Sequence, residues 1–98
     1  MSKTLLLFEG SIHTTGTYNF LKEINTSYTF LNIVTAGMVA FKFRLSDYTF
    51  PFRIIINGYE AGKEYLIVTI NQSNISVQSL AIDGIFQAEI KKIYLSNI

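Results

Sequence analysis

The 98-residue chain contains no cysteine, no tryptophan, one proline and one histidine. Without cysteine there can be no disulfide, thiolate nucleophile or cysteine-ligated zinc. A lone histidine with scattered carboxylates is a poor donor supply for any other metal site, so neither a metal nor a cofactor is expected. Charge is also scarce. Eight basic and seven acidic residues make up 15% of the chain, against about 25% in an average globular domain. The net charge is only +1, and the basic residues (Lys3, Lys22, Lys42, Arg44, Arg53, Lys63, Lys91, Lys92) are dispersed, several beside acids. Nucleic-acid binders ordinarily carry a basic excess or stripe, so nucleic acid is not an expected partner. No stretch nears the run of about 18 apolar residues that a spanning helix needs, so membrane insertion is not expected. The apolar run Leu5 to Phe8 meets Glu9 at once, which is too short for a signal peptide.

Apolar side chains and β-formers are what the chain does have. Hydrophobic residues reach 49%, with eight Phe and six Tyr. The length fits a single domain over residues 1–98, large enough for one core without covalent staples. So low a charge content on so apolar a chain implies that part of the surface is covered by another subunit, and a homo-oligomer is expected.

The β-branched and aromatic residues fall in short runs separated by Gly, Asn, Asp and Ser. Lys3 to Glu9 reads as a strand ended by Gly10-Ser11, and Ile12 to Thr15 as a polar connection. Thr17 to Phe20 alternates. Phe20, Leu21 and Ile24 are spaced for one helical turn capped by Asn19. Tyr28 to Thr35 is a strand. Met38 to Leu45 alternates most cleanly, with Val39, Phe41, Phe43 and Leu45 on one face and Ala40, Lys42 and Arg44 on the other. Phe52 to Ile56 reads as a buried strand closed by Asn57-Gly58. Glu64 to Asn71 alternates Tyr65, Ile67 and Thr69 with Leu66, Val68 and Ile70. Ile75 to Ile82 and a long final run, Ile85 to Leu95, complete the set. About eight short strands with no crossover helix predict an all-β, antiparallel sandwich of jelly-roll type.

Catalytic chemistry is thinly represented. His13 lies in a polar turn, and no serine sits in a Gly-x-Ser-x-Gly elbow. Seven carboxylates supply no spacing that marks a glycosidase pair or a calcium loop. The chain is therefore not expected to be an enzyme. The more informative group is aromatic: Tyr48, Phe50 and Phe52 flank Pro51, and Tyr59 follows Asn57-Gly58. Tyr48 and Tyr59, with Asp47, Arg53 and Asn57 as polar partners, form a candidate ligand-binding set of the kind that stacks and hydrogen-bonds a sugar ring. The competing reading places Phe50 and Phe52 in the core and the two tyrosines in a subunit contact.

Three stretches follow one another in order: Leu5-Leu6-Leu7-Phe8-Glu9-Gly10-Ser11, a strand ending in a Gly-Ser pair; Gly16-Thr17-Tyr18-Asn19-Phe20, a short strand after a second Gly; and Tyr28-Thr29-Phe30-Leu31-Asn32-Ile33, an aromatic-rich strand. At the other end come Gly84-Ile85-Phe86 and Ile90-Lys91-Lys92-Ile93-Tyr94. Together they resemble β-sandwich modules of the tails and baseplates of phages and prophages of Gram-positive bacteria. The resemblance touches both ends and about half of the chain, and its motifs are structural. It implies a non-enzymatic virion protein of the tail, baseplate or fibre, trimeric by preference and in contact with host cell-wall polysaccharide. The alternative is a stand-alone, lectin-like carbohydrate-binding module.

Overall fold

The computed structural model describes residues 4–36, 40–57, 64–81 and 88–98. The strands are β1 (Thr4–Ile12), β2 (Gly16–Asn19), β3 (Phe30–Thr35), β4 (Ala40–Arg44), β5 (Phe52–Asn57), β6 (Glu64–Ile70), β7 (Asn74–Ala81) and β8 (Ile90–Ser96). One turn of 3-10 helix, Leu45–Asp47, follows β4. The strands form two four-stranded sheets, ordered β1-β8-β3-β4 and β2-β7-β6-β5. Every pairing is antiparallel. The architecture is thus the antiparallel sandwich that the alternation predicts. The first strand lies beside the last and the second beside the seventh, but β3 pairs with β4 and β5 with β6, so the nesting of the expected jelly roll is not carried through the inner strands. A β3–β4 hairpin and a β5–β6–β7 meander fill the remaining halves.

Period-two alternation decides which side chains meet between the sheets. In β6, Leu66, Val68 and Ile70 are buried, while Tyr65, Ile67 and Thr69 point outward and are only partly covered. In β8, Ile90, Ile93 and Leu95 are buried, and Ile93 and Leu95 stand opposite Ile33 and Leu31 of β3. Leu7, Ile12, Ile56, Ile75 and Val77 complete the contacts across the layers. At the β1/β2 side, the Phe8 and Tyr18 rings meet edge-on at 6.4 Å. At the opposite side Phe43 of β4 packs on Phe52 of β5 at 6.2 Å.

Four local expectations change. Gly10-Ser11 does not end the first strand. It forms a bulge, visible as a register shift between Glu9 and Ile12, after which β1 resumes and buries Ile12 opposite Ile90. Gly10 has φ +155°, and a Cβ there would lie 3.3 Å from the Phe8 ring, so this position favours glycine. The segment after β2 is not a helical turn. Its backbone is held by β1 and by the β6–β7 turn: Phe20 N–H donates to Ser73 O at 2.9 Å, Leu21 N–H to Leu7 O at 2.8 Å and Ile24 N–H to Gln72 O at 2.8 Å. Ile24 is thereby buried as a plug at the end of the sandwich. β5 is not a buried strand but an edge strand: Ile56 faces the core and Ile55 is 58% exposed. The final strand begins at Ile90, with Ala88 and Glu89 outside it. The expected start at Ile85 lies outside the described residues, as does Val39 of the β4 face.

Two substitutions separate these contributions. Leu66→Ala, which empties a fully buried site, is expected to lower unfolding free energy by about 3 kcal/mol. Gly10→Ala is expected to cost about 1–3 kcal/mol through its backbone alone. Urea denaturation monitored by circular dichroism measures both, and a loss below about 0.5 kcal/mol at Gly10 would contradict the constraint ascribed to the bulge.

Candidate functional site

The four described residues of the expected ligand set, Asp47, Tyr48, Arg53 and Asn57, do not converge. Asp47 ends the 3-10 turn and is exposed. Tyr48 follows it, and its ring lies against Phe52 at 4.4 Å and 26°, with the Phe43 ring edge-on at 5.8 Å. Phe50 adds a tilted contact to Phe52 at 5.5 Å. These rings close the open side of the sandwich between the edge strands β4 and β5, and Phe43, Phe50 and Phe52 pack against the core cluster. One face of Tyr48 is therefore taken by protein. Arg53 and Asn57 alternate with Phe52 and Ile56, so they stand on the outer face of β5, away from that cluster. Four residues of strand separate them by about 13 Å. Arg53 instead borders a shallow outer-face depression with Thr69 of β6 and Ser76 and Gln78 of β7. Tyr59 lies outside the described residues.

His13 is drawn into a small polar group. Its Nδ1 lies 3.2 Å from Ser11 Oγ and 3.8 Å from Glu89 Oε2, Ser11 Oγ donates to Glu89, and Lys91 Nζ is 3.2 Å from Glu89 Oε1. The bulge at Gly10 presents Ser11, and the residue before β8 presents Glu89. The Ser11 hydroxyl, followed by the Lys91 ammonium, holds the Glu89 carboxyl below the usual carboxylate range. A hydrolytic triad needs its imidazole between serine and acid through two different nitrogens. Here serine and acid meet directly and both sit at Nδ1, which makes the group a clasp between the end of β1 and the start of β8. Among the described residues, no three His, Asp or Glu side chains group as a metal would require, and no helix is long and apolar enough to cross a membrane.

A more promising concavity opens where β3 begins and β4 ends. It has a volume of about 340 Å³ and is lined by Thr26, Ser27, Tyr28, Thr29, Leu45 and Ser46. An Asx turn shapes one wall: Ser27 N–H donates to Asn25 Oδ1 at 2.9 Å, and Tyr28 N–H to Asn25 O at 3.1 Å. The walls are tied together by Leu45 N–H donating to Thr29 O at 2.9 Å. The adjoining outer face of β3 and β4 is basic and aromatic. Lys42 Nζ lies 4.8 Å from the centre of the Phe30 ring, and the Arg44 guanidinium carbon lies 5.8 Å from it. Farther along, Lys92 Nζ covers Tyr94 at 5.3 Å. The alternation places Lys42 and Arg44 on one face, but nothing in the sequence announces that Phe30 and the cleft adjoin them. That adjacency follows from the β3–β4 register, in which Phe30 opposes Arg44.

The depressed Glu89 acidity has a signed consequence. A carboxyl with a lowered folded-state pKa adds stability above its unfolded value and loses it as pH falls through the folded value. Stability should therefore decline below about pH 4.3, and Glu89→Gln should flatten that decline while leaving little pH dependence of its own. Urea midpoints measured from pH 6 down to pH 3 for both proteins check it; parallel profiles would count against the clasp. No protein-family model matches the chain, and no curated protein matches it either.

Proposed function

We propose that the protein is a non-enzymatic structural subunit, of the kind that builds phage and prophage tails or baseplates, and that it assembles with copies of itself. The observation that carries the assembly reading is the outer face of the second sheet. Ile55 is 58% exposed there. Ile67 stands opposite it, and in the next row Tyr65 lies between Asn57 and Leu80. Ile67, Tyr65 and Leu80 are themselves only half covered. Four apolar or aromatic side chains in adjoining register positions make a patch that a small, weakly charged protein gains by hiding against a like surface. The sequence resemblance described above supports the tail setting and favours a trimer. Tail, lysin and holin genes flanking its own would add independent support.

Light scattering after size exclusion tests the assembly. Oligomers are expected for the native protein, and Ile55→Asp should weaken association by at least about tenfold while leaving the circular dichroism unchanged. A native protein that stays monomeric at high concentration would remove the reading.

A second reading, a carbohydrate-binding module, is favoured by one observation: the cleft of about 340 Å³ between Tyr28 and Ser46. It falls within the range of about 300–1,000 Å³ common for small-ligand sites. Its walls offer hydroxyls and one tyrosine, the chemistry that a polyhydroxylated ring requires.

A further inference from the structure

We propose that the free edge of β5 docks β5 of a second copy, the two strands pairing antiparallel about a two-fold axis at Ile55, so that the second sheets of two copies join into one. The inference rests on the self-assembly reading and adds to it a contact, a register and a symmetry.

Three observations carry it. First, among the described residues β5 is the one sheet edge without the devices that ordinarily block strand addition. The four edges are β1, β4, β2 and β5. β1 has two register shifts, and its Leu7 carbonyl is already taken by Leu21 N–H. β2 is only four residues long. β4 presents exposed Lys42 and Arg44. β5 keeps an unbroken register with β6 over its six residues and carries one charge, Arg53. The ring contacts that close this side of the sandwich meet β5 at Phe52, its first residue. Among the described residues, Arg53 to Asn57 make no hydrogen bond beyond the β6 ladder. In an antiparallel pair every second residue turns its N–H and C=O away from the partner strand, so β5 offers an open row of donors and acceptors.

Second, Ile55 lacks a neighbour on that side. It is 58% exposed, although Ile67 of β6 stands opposite it. Ile67 has a strand on either side and is half covered. A strand added at the edge gives Ile55 its second cross-strand partner.

Third, β5 is complementary to itself in one register. Opposed residues of an antiparallel pair point to the same face. Arg53, Ile55 and Asn57 can therefore meet only one another, as can Phe52, Ile54 and Ile56. A two-fold axis at Arg53 sets like charges face to face, which is unfavourable. An axis at Ile54 puts Ile55 opposite Arg53, and an axis at Ile56 puts it opposite Asn57. With the axis at Ile55, Ile55 meets Ile55, Ile54 meets Ile56, and Arg53 meets Asn57, whose amide oxygen can accept from the guanidinium. The apolar patch of Ile55 and Ile67 then runs unbroken across the join. A second copy brings this match by symmetry, because each residue's partner on one strand is repeated on the other.

The chain has no cysteine, so one introduced thiol is an unambiguous probe. Opposed Cα atoms in the pairing lie about 4.5–5.5 Å apart, within reach of a disulfide. Ile55→Cys, at an exposed position, should form a disulfide-linked dimer under mild oxidation at least about tenfold faster than Ile67→Cys. Three strand spacings, about 14 Å, separate the two copies of residue 67 in the joined sheet. Arg53→Cys and Asn57→Cys should cross-link when mixed and not when oxidised singly. In the native protein, alternate amides of β5 should gain protection from hydrogen exchange as concentration rises, and light scattering should show dimers or multiples of them. Oligomers that do not cross-link at Ile55→Cys would overturn the edge pairing and leave self-assembly standing. Equally fast cross-linking at Ile67→Cys would do the same, since it marks face-to-face packing of the second sheets. A closed trimer would also exclude the two-fold contact. Full protection of β5 amides in a dilute monomer would mean that the chain covers this edge itself, and would overturn the docking. A native protein that stays monomeric at high concentration would remove both the inference and the reading beneath it.

Discussion

The position of β8 is the constraint on which the rest of the molecule depends. Strand β8 is inserted between β1 and β3, so the first sheet is not complete until β8 is in place. Its inward side chains, Ile90, Ile93 and Leu95, are fully buried and meet partners on both sides, Ile33 and Leu31 in β3 and Phe8 and Leu5 in β1. Even its outward side is consolidated. Asn32 Nδ2 donates to Ser96 Oγ at 2.8 Å, and Ser96 Oγ donates to Ile98 O at 2.8 Å, with Asn32 and Ser96 both buried. Such a buried polar chain is tolerated because each member finds a partner, and it fixes the strand's register against slippage. Without β8 the first sheet would be left as a lone β1 and a β3–β4 hairpin, and two-stranded pieces are marginal in water.

The ends and sides of a sandwich are open unless something closes them, and this chain closes each by a different means. The β4/β5 side is closed by rings, with Phe43, Tyr48, Phe50 and Phe52 in mutual contact. The β1/β2 side adds a backbone tie to the Phe8–Tyr18 ring contact. The register shift between Leu6 and Phe8 frees the Leu7 carbonyl from the ladder, and that carbonyl accepts the Leu21 N–H. The strap so formed carries Ile24 into the core. The Asx turn at Asn25 then delivers the chain to β3 and, in doing so, leaves the cleft beside Leu45. The cleft is thus a by-product of how the chain crosses from one sheet to the other.

The sequence made the strands legible wherever alternation was strict, because a half-buried strand imposes period two on its residues. β4 and β6 show this best: Phe41 and Phe43 turn inward against Lys42 and Arg44, and Leu66, Val68 and Ile70 against Tyr65, Ile67 and Thr69. It misled at Gly10, since a glycine followed by serine reads equally as a turn or as a bulge. It misled at Ile54 and Ile55, since an unbroken apolar run reads as two-sided burial whether or not a neighbouring sheet covers the outer face. The described members of the expected ligand set stand apart for the same reason. Tyr48, Arg53 and Asn57 are close in sequence, but strand parity sends Arg53 and Asn57 outward while Tyr48 lies against the inward Phe52. The cleft pairs residues 26–29 with 45–46, and only strand pairing reveals that they adjoin.

The scarce charge is also unevenly spent between the two outer faces. On the first sheet, Lys42, Arg44 and Lys92 stand outward with Glu9 opposite Lys92. On the second, Ile55, Ile67, Tyr65 and Leu80 stand outward, with Arg53 at the margin. Had the charges been spread evenly, neither face would offer much to a partner. Segregation gives one face that loses little by being desolvated and one that gains by meeting an anion. Desolvation favours burying the apolar face against another copy, because that face gives up little hydration. A basic face cannot pair with itself in that way, since each copy would bring the same sign of charge to the contact. The proposed assembly through the second sheet would therefore leave the first sheet and its cleft turned outward on every copy.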